Sequence, residues 1–310
     1  MDALREAEQP SPGPVSPPEQ PPFFQRISPV AFAAISLCII FFLYQVVAGA
    51  ATVLLSHGKI TNDNVLLIRW ATLIGQLLFI LLPTLVLVKL RHKRLADFFL
   101  ITWPEYREVI LTFVAVFALQ QVLQGYTKLQ EALPLPPAMR DIIDQFKDLL
   151  EETYATLTSA HSPAEFVFVV IVVALVPAIS EELLFRGLVQ RSFEQVTPGI
   201  RGAVIAGLIF GAYHLNPFSL VPVAALGIYF GFVVYRTRNI IVAVSAHFFN
   251  NFLACTAVYM KVDDDVVVLA PSGVVTPSLV FLNYMFFAVV FVLATYYFIR
   301  VTEHIEETER

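Results

Sequence analysis

Apolar residues in this chain fall in long, nearly unbroken runs rather than at alternating positions. A helix that crosses a bilayer needs ~20 mostly apolar residues, because lipid offers its backbone no hydrogen-bond partners. Eight runs fit that requirement, at about 30–55, 65–90, 108–125, 164–191, 199–215, 219–236, 239–260 and 277–300. They predict an all-α fold, a polytopic transmembrane bundle of about eight spanning helices. Two stretches depart from the pattern. Residues 1–28 carry seven prolines among Gln, Glu and Ser, and read as a disordered tail that leans to polyproline II. In 126–163, Pro136 and Pro137 precede Met139, Ile142, Ile143, Phe146, Leu149, Leu150 and Leu157 at helical spacing, with Asp, Lys and Glu between them. That spacing predicts an amphipathic helix outside the membrane, covering the bundle. The expected organisation is a tail over 1–28, a transmembrane helical domain over 29–302 and a polar tail over 303–310.

The first run has the look of a signal peptide, with Arg26 before it and Ala48-Gly49-Ala50 near its end. It is longer than the usual h-region of ~7–15 residues, so it reads as a retained span. Orientation follows from the Lys/Arg bias. With the N-terminus inside and eight alternating spans, thirteen of the 20 Lys and Arg lie inside. Five lie outside (Lys59, Lys128, Arg140, Lys147 and Lys261), and Arg69 and Arg186 fall within spans. Both termini are therefore expected in the cytoplasm. Arg69 has no partner nameable from spacing.

Composition narrows the class. The chain is 57% hydrophobic and 15% charged, against roughly 25% charged in soluble domains. An ordinary soluble enzyme and a disordered chain are excluded. A net charge of −5 without a long basic run argues against nucleic acid as a partner. Cys38 and Cys255 sit inside apolar runs, which argues against a disulfide framework or a thiolate metal site. The partners left are the lipid bilayer and whatever it anchors.

Against that background the buried polar residues stand out. Glu181 and Glu182 lie deep in the fourth run, where one charge costs at least ~2.5–3.5 kcal/mol. Arg186 is four positions after Glu182 and shares its helix face, while Glu181 is rotated by about 100°. One glutamate is thus expected in an ion pair, and the other is left to face something else. Pro177 upstream should kink the helix and free a carbonyl. The next spans carry Phe210 with His214 and His247 with Asn251, each pair at i,i+4 and so on one face. A carboxylate beside an imidazole can activate water. A second imidazole and an amide can donate to a developing oxyanion. Together the groups fit amide hydrolysis inside a membrane cavity. Each has a plainer reading: the ion pair as structural glue, each histidine as packing, Asn250 or Asn251 as an interhelical hydrogen bond.

Glu181-Glu182-x-x-x-Arg186, Phe210-x-x-x-His214 and His247-x-x-x-Asn251, in that order on successive spans, resemble the motifs of the CPBP intramembrane protease family. That family includes the type II CAAX prenyl endopeptidases of the Ras-converting type and bacterial abortive-infection and bacteriocin-processing relatives. The resemblance covers roughly 160–260, about a third of the chain. It implies an eight-helix intramembrane endopeptidase acting on a membrane-anchored peptide or protein, prenylated in the CAAX branch. By it, Glu181 is the general base, assisted by His214, and His247 with Asn251 forms the oxyanion hole. Glu182 and Arg186 hold the geometry, Phe210 packs beside His214, and Asn250 has no family role.

The family has been described both as zinc metalloproteases and as metal-free glutamate proteases. Zinc usually takes three protein ligands plus water. Glu181, His214 and His247 could supply them, but only Glu182, already engaged by Arg186, would then be left as base. That arithmetic favours a site without a cofactor, with zinc as the alternative. Two other functions compete with a protease: a non-enzymatic scaffold or bacteriocin-immunity factor, and a proton-coupled transporter. One conflict also stands. The run boundaries put Glu181 toward the inner end of its span and His214 toward the outer end of the next. A fourth helix longer than the bilayer, or a fifth that ends early at Asn216-Pro217, would remove it.

Overall fold

The structure, a computed structural model, describes residues 23–303 apart from Lys93, 134–135 and 263–276. Among these residues the fold is wholly helical. The long helices are α1 (Pro29–Ser56), α2 (Val65–Arg91), α3 (Tyr106–Glu131), α4 (Pro137–Thr158), α5 (Pro163–Glu194), α6 (Arg201–Tyr213), α7 (Leu220–Thr237), α8 (Ile240–Met260) and α9 (Pro277–Val301). The proline-rich stretch 1–22 and residues 304–310, both read as tails, lie outside the described residues. From Phe23 to Arg26 the chain makes one helical turn. Arg91 at the end of α2 ties it down by donating to the carbonyls of Phe24 and Ile27, at 2.9 and 2.8 Å.

Helix starts follow local chemistry. Ser28 accepts from the Ala31 N–H before α1, Ser162 from Glu165 before α5, and Asn239 from Ile241 before α8. Pro29 and Pro163 follow the two serines, at positions where a missing N–H costs nothing. Glu105 and Glu108 form a capping box at the start of α3.

The protein is an integral, multi-pass membrane bundle. Seven of the long helices, all but α4 and α6, are long and apolar enough to cross a bilayer. The expected fifth span is the exception. Its 13 residues reach about 20 Å, short of the ~30 Å hydrocarbon layer. Backbone geometry sets its limits rather than hydropathy. Gly199 precedes it at φ +65°, and Leu215 follows at φ +54° in the left-handed region, just ahead of Asn216-Pro217. α5 is the converse, 32 residues or about 48 Å long. Glu181 falls near its middle. A long α5 and an early stop in α6 together remove the conflict in depth between Glu181 and His214.

α5 forms the axis of the bundle. Leu184, Phe185, Leu188 and Val189 are fully buried there. Arg186 and Gln190, one turn apart on α5, donate to the carbonyls of Gly227 and Gly231, one turn apart on α7, at 2.9 and 3.0 Å. α7 in turn presses on α6. A Cβ added to Gly207 would stand 2.4 Å from the Ile228 nitrogen, and one added to Gly227 would stand 2.9 Å from the Gly207 carbonyl. Only glycine allows that approach.

α4 is the amphipathic helix expected outside the spans. Half-buried Ile143, Leu150 and Leu157 lean on the bundle, while Ile142, Phe146 and Leu149 stay exposed. Two ion pairs and one buried cation hold it. Lys147 binds Glu131 of α3, which raises the lysine above its ordinary pKa, and Lys59 binds Glu152. The third partner is Arg69 of α2, only 1% exposed, and here the charge without a nameable partner is accounted for. Its Nη1 donates to Glu165 at 2.7 Å, its Nε to the Leu157 carbonyl at 2.9 Å, and its Nη2 to the Ser159 carbonyl. A cation thus occupies the C-terminal end of α4, where carbonyls lack helical partners and the dipole is negative. Replacing Arg69 with Leu is expected to destabilise the fold by about 2–3 kcal/mol, the worth of charged hydrogen bonds. Thermal unfolding in detergent measures this, and an unchanged midpoint would remove Arg69 as the clamp on α4.

Candidate active site

The polar groups picked out by spacing meet around one cavity of about 340 Å³. Glu181, His214, His247 and Asn251 all line it, so four residues from three helices share one space. Tyr154 and Leu157 of α4 roof it.

Behind it lies a buried ion pair. Glu182 is fully buried, and its Oε1 accepts from Arg186 Nη1 at 2.8 Å. The same oxygen accepts from His247 Nδ1, also at 2.8 Å. Glu182 therefore does more than balance Arg186: it ties α8 to α5 and fixes the His247 ring. A paired carboxylate can only accept, so Nδ1 carries the hydrogen and Nε2 is the nitrogen left for the cavity. Phe210 serves several neighbours. Its ring centroid lies 4.6 Å from the Arg186 guanidinium, and its ring meets His214 edge-on at 4.7 Å. Phe230 of α7 stacks on His247 at 5.4 Å.

His214 is held by its backbone surroundings. Its own N–H bonds to Gly211 as α6 ends, which leaves the Phe210 carbonyl without its helical donor. The His214 ring reaches back to that carbonyl, Nδ1 to oxygen at 2.8 Å. The i,i+4 spacing thus sets a tautomer: Nδ1 is protonated, and Nε2 offers its lone pair.

Asn251 uses a carbonyl freed in the same way. Pro177 has no N–H to return to Val173, four residues before it. Asn251 Nδ2 donates to the Val173 carbonyl at 3.3 Å, and its Oδ1 accepts from Asn250 at 3.2 Å. Asn250, without a role by resemblance, orients the Asn251 amide. One Asn251 N–H remains unclaimed and lies at the cavity wall.

Glu181 is half-buried, rotated away from Arg186 as the helical phase requires. Its Oε1 accepts from Gln76 Nε2 of α2 at 3.3 Å. Gln76 also donates to the Tyr44 hydroxyl of α1 at 3.0 Å and accepts from Ser180 at 2.6 Å. Sequence reasoning missed Tyr44, Gln76 and Ser180. The available signal was weak: one buried amide in the second apolar run, and one phenol in the first.

Among the described residues no three His, Cys, Asp or Glu side chains converge as a metal-binding group. Both histidines donate through Nδ1 to fixed acceptors, which leaves each Nε2 free, as in an imidazole that ligates a metal, and Glu182 is shared by Arg186 and His247. The arrangement does supply a carboxylate and an imidazole lone pair facing one space, with an amide donor on another wall. Replacing Arg186 with Leu would strand Glu182 in the interior, and is expected to cost about 3–5 kcal/mol. Denaturant unfolding of the purified protein tests this, and a loss below 1 kcal/mol would show that the pair does not hold the fold.

Residues 163–253, under a third of the chain, match the family model described as "Type II CAAX prenyl endopeptidase Rce1-like". The match contains all three motifs and bears out the resemblance drawn from them. No curated protein and no solved structure matches the chain.

Proposed function

We propose that this chain, whose core carries a CAAX-type intramembrane protease domain, hydrolyses a peptide bond of a membrane-anchored substrate with water activated by Glu181. The observation that carries the reading is the convergence of Glu181, His214, His247 and Asn251 on one cavity, with the adjacent Glu182 engaged elsewhere. A base must hold a water within hydrogen-bond reach, and a carboxylate beside an imidazole lone pair does so. Glu181 takes a proton from the water as its oxygen bonds to the scissile carbonyl carbon. It later returns that proton to the departing nitrogen, so the enzyme ends as it began. The negative carbonyl oxygen faces the spare N–H of Asn251, with His247 Nε2 as second donor when that ring carries both protons. The ligand count supports the metal-free form: with Glu181, His214 and His247 given to zinc, the neighbouring carboxylate, Glu182, is engaged by Arg186 and His247. The Lys/Arg bias supports both termini on the cytoplasmic side.

The test is cleavage of a farnesylated peptide reporter with a CAAX-type end by purified protein in detergent or liposomes. Replacing Glu181 with Gln keeps the shape and removes the base. The expected loss is at least about 10²–10⁴-fold. Unreduced cleavage would sink the general-base assignment. 1,10-Phenanthroline is expected to leave the wild-type rate unchanged, and a rate restored only by added zinc would overturn the metal-free form.

A further inference from the structure

Glu181 lines the cavity and also meets a buried amide, Gln76 of α2, which lies outside the family match at 163–253. Gln76 is 4% exposed and does not line the cavity, whereas Thr72, one turn earlier on α2, does. A buried amide needs partners for its two N–H groups and its oxygen. Gln76 finds them on α1 and α5. Its Nε2 donates to Glu181 Oε1 at 3.3 Å and to the Tyr44 hydroxyl at 3.0 Å, and its Oε1 accepts from Ser180 Oγ at 2.6 Å. Charge decides which way the amide faces. A flipped amide would set its oxygen 3.3 Å from a carboxylate oxygen with no hydrogen between them. An ionised Glu181 therefore selects the N–H, and Ser180, which can donate, takes the oxygen. Glu181 has need of such a neighbour. The last torsion of a glutamate is broad, so its well alone does not fix the plane of the carboxylate. Glu182 is fixed by Arg186 and His247, whereas among the described residues Gln76 is the side chain that donates to Glu181.

We propose that Gln76 is a positioning residue for Glu181. The inference rests on Glu181 being the base. By holding Oε1, Gln76 sets the plane of the carboxylate and leaves Oε2 for the water. Tyr44 and Ser180 hold the amide from two sides, so it does not turn with the carboxylate. Ser180 directly precedes Glu181, so the base and the group that anchors its partner share one turn of α5. Gln76 touches neither the water nor the substrate, and so acts on turnover and not on binding. A glutamine that joins helices is also glue. The two roles separate by experiment, because glue acts through the stability of the bundle and aim acts through Glu181 alone.

The experiment measures kcat and KM for the farnesylated reporter with full-length wild type, Gln76→Met, Ser180→Ala, Gln45→Met and Glu181→Gln, each with its thermal unfolding midpoint. Gln76→Met keeps an unbranched side chain and removes the amide. It is expected to lower kcat about ten- to hundredfold, the penalty for a misaimed reacting group, with KM unchanged. Ser180→Ala frees the amide to turn, and is expected to lower kcat less, again at constant KM; it carries the test if Gln76→Met does not fold. Gln45→Met is the matched control. Gln45 joins α1 to α6 through the Tyr213 carbonyl at 2.9 Å and does not line the cavity, so its loss should lower the midpoint and leave kcat intact. On a Glu181→Gln background, Gln76→Met should not lower the residual rate further. The proposal is overturned by an unchanged kcat in Gln76→Met, by a rise in KM with kcat intact, or by an equal fall of kcat in Gln45→Met. A fall of the same factor on the Glu181→Gln background overturns it too, since Gln76 would then act elsewhere. A fully active Glu181→Gln instead overturns the base reading, and this inference with it, so the two failures are told apart.

Discussion

The structure depends on one constraint: a full positive and a full negative charge buried together in α5, far from water. Neither Glu182 nor Arg186 could be tolerated there alone. Their mutual bond uses only part of their capacity, and the remainder recruits neighbours. Arg186 Nη2 takes the Gly227 carbonyl, which requires α7 to come close. Glu182 takes the His247 ring, which fixes the rotation of α8. The guanidinium face takes Phe210, which fixes α6. The arrangement of four helices thus follows from satisfying two side chains, and the glycines of α6 and α7 are what make it sterically feasible.

The second organising element is the backbone itself. In a bilayer a carbonyl without a helical donor must find one. Two such carbonyls border the cavity: Phe210 at the end of α6, and Val173, which Pro177 cannot serve. Each is taken by a site side chain, His214 and Asn251. α1, α2 and α5 also contain wide-turn π-helical stretches, and Tyr44, Gln76, Val173 and Arg186 lie within them. Such turns expose polar groups that a regular helix would hide. Irregularities that would weaken an ordinary helix therefore orient the polar side chains here.

What could be read beforehand was whatever is local along the chain. The apolar runs located the spans, and i,i+4 spacing paired Glu182 with Arg186 and Phe210 with His214, because those relations lie within one helix. Relations between helices were not legible. Arg69 meets Glu165 across 96 positions, and Gln76 meets Glu181 across 105. Nothing in either local pattern encodes the partner. The end of α6 was legible only to within a few residues: Asn216-Pro217 marked a stop, and the left-handed backbone at Leu215 ends the helix at Tyr213. The motif residues meet around one cavity, while the depth at which they meet depends on a dihedral angle.

Glu181 and Glu182 show how position alone divides chemistry between identical side chains. They are adjacent and enter the same helix, yet 100° of rotation sends one to an arginine and a histidine and the other to an amide and a cavity. Neither could take both roles. Glu182 spends Oε1 on Arg186 and His247 and does not line the cavity, and an anchor facing the cavity would leave Arg186 unpaired. Glu182 answers Arg186, so Glu181, held among the described residues by the neutral Gln76 donor, is the carboxylate that the proposed function assigns to water. An uncompensated buried carboxylate is costly, and three features make this one tolerable: the Gln76 N–H, the polar lining shared with His214 and Asn251, and half-burial rather than full burial.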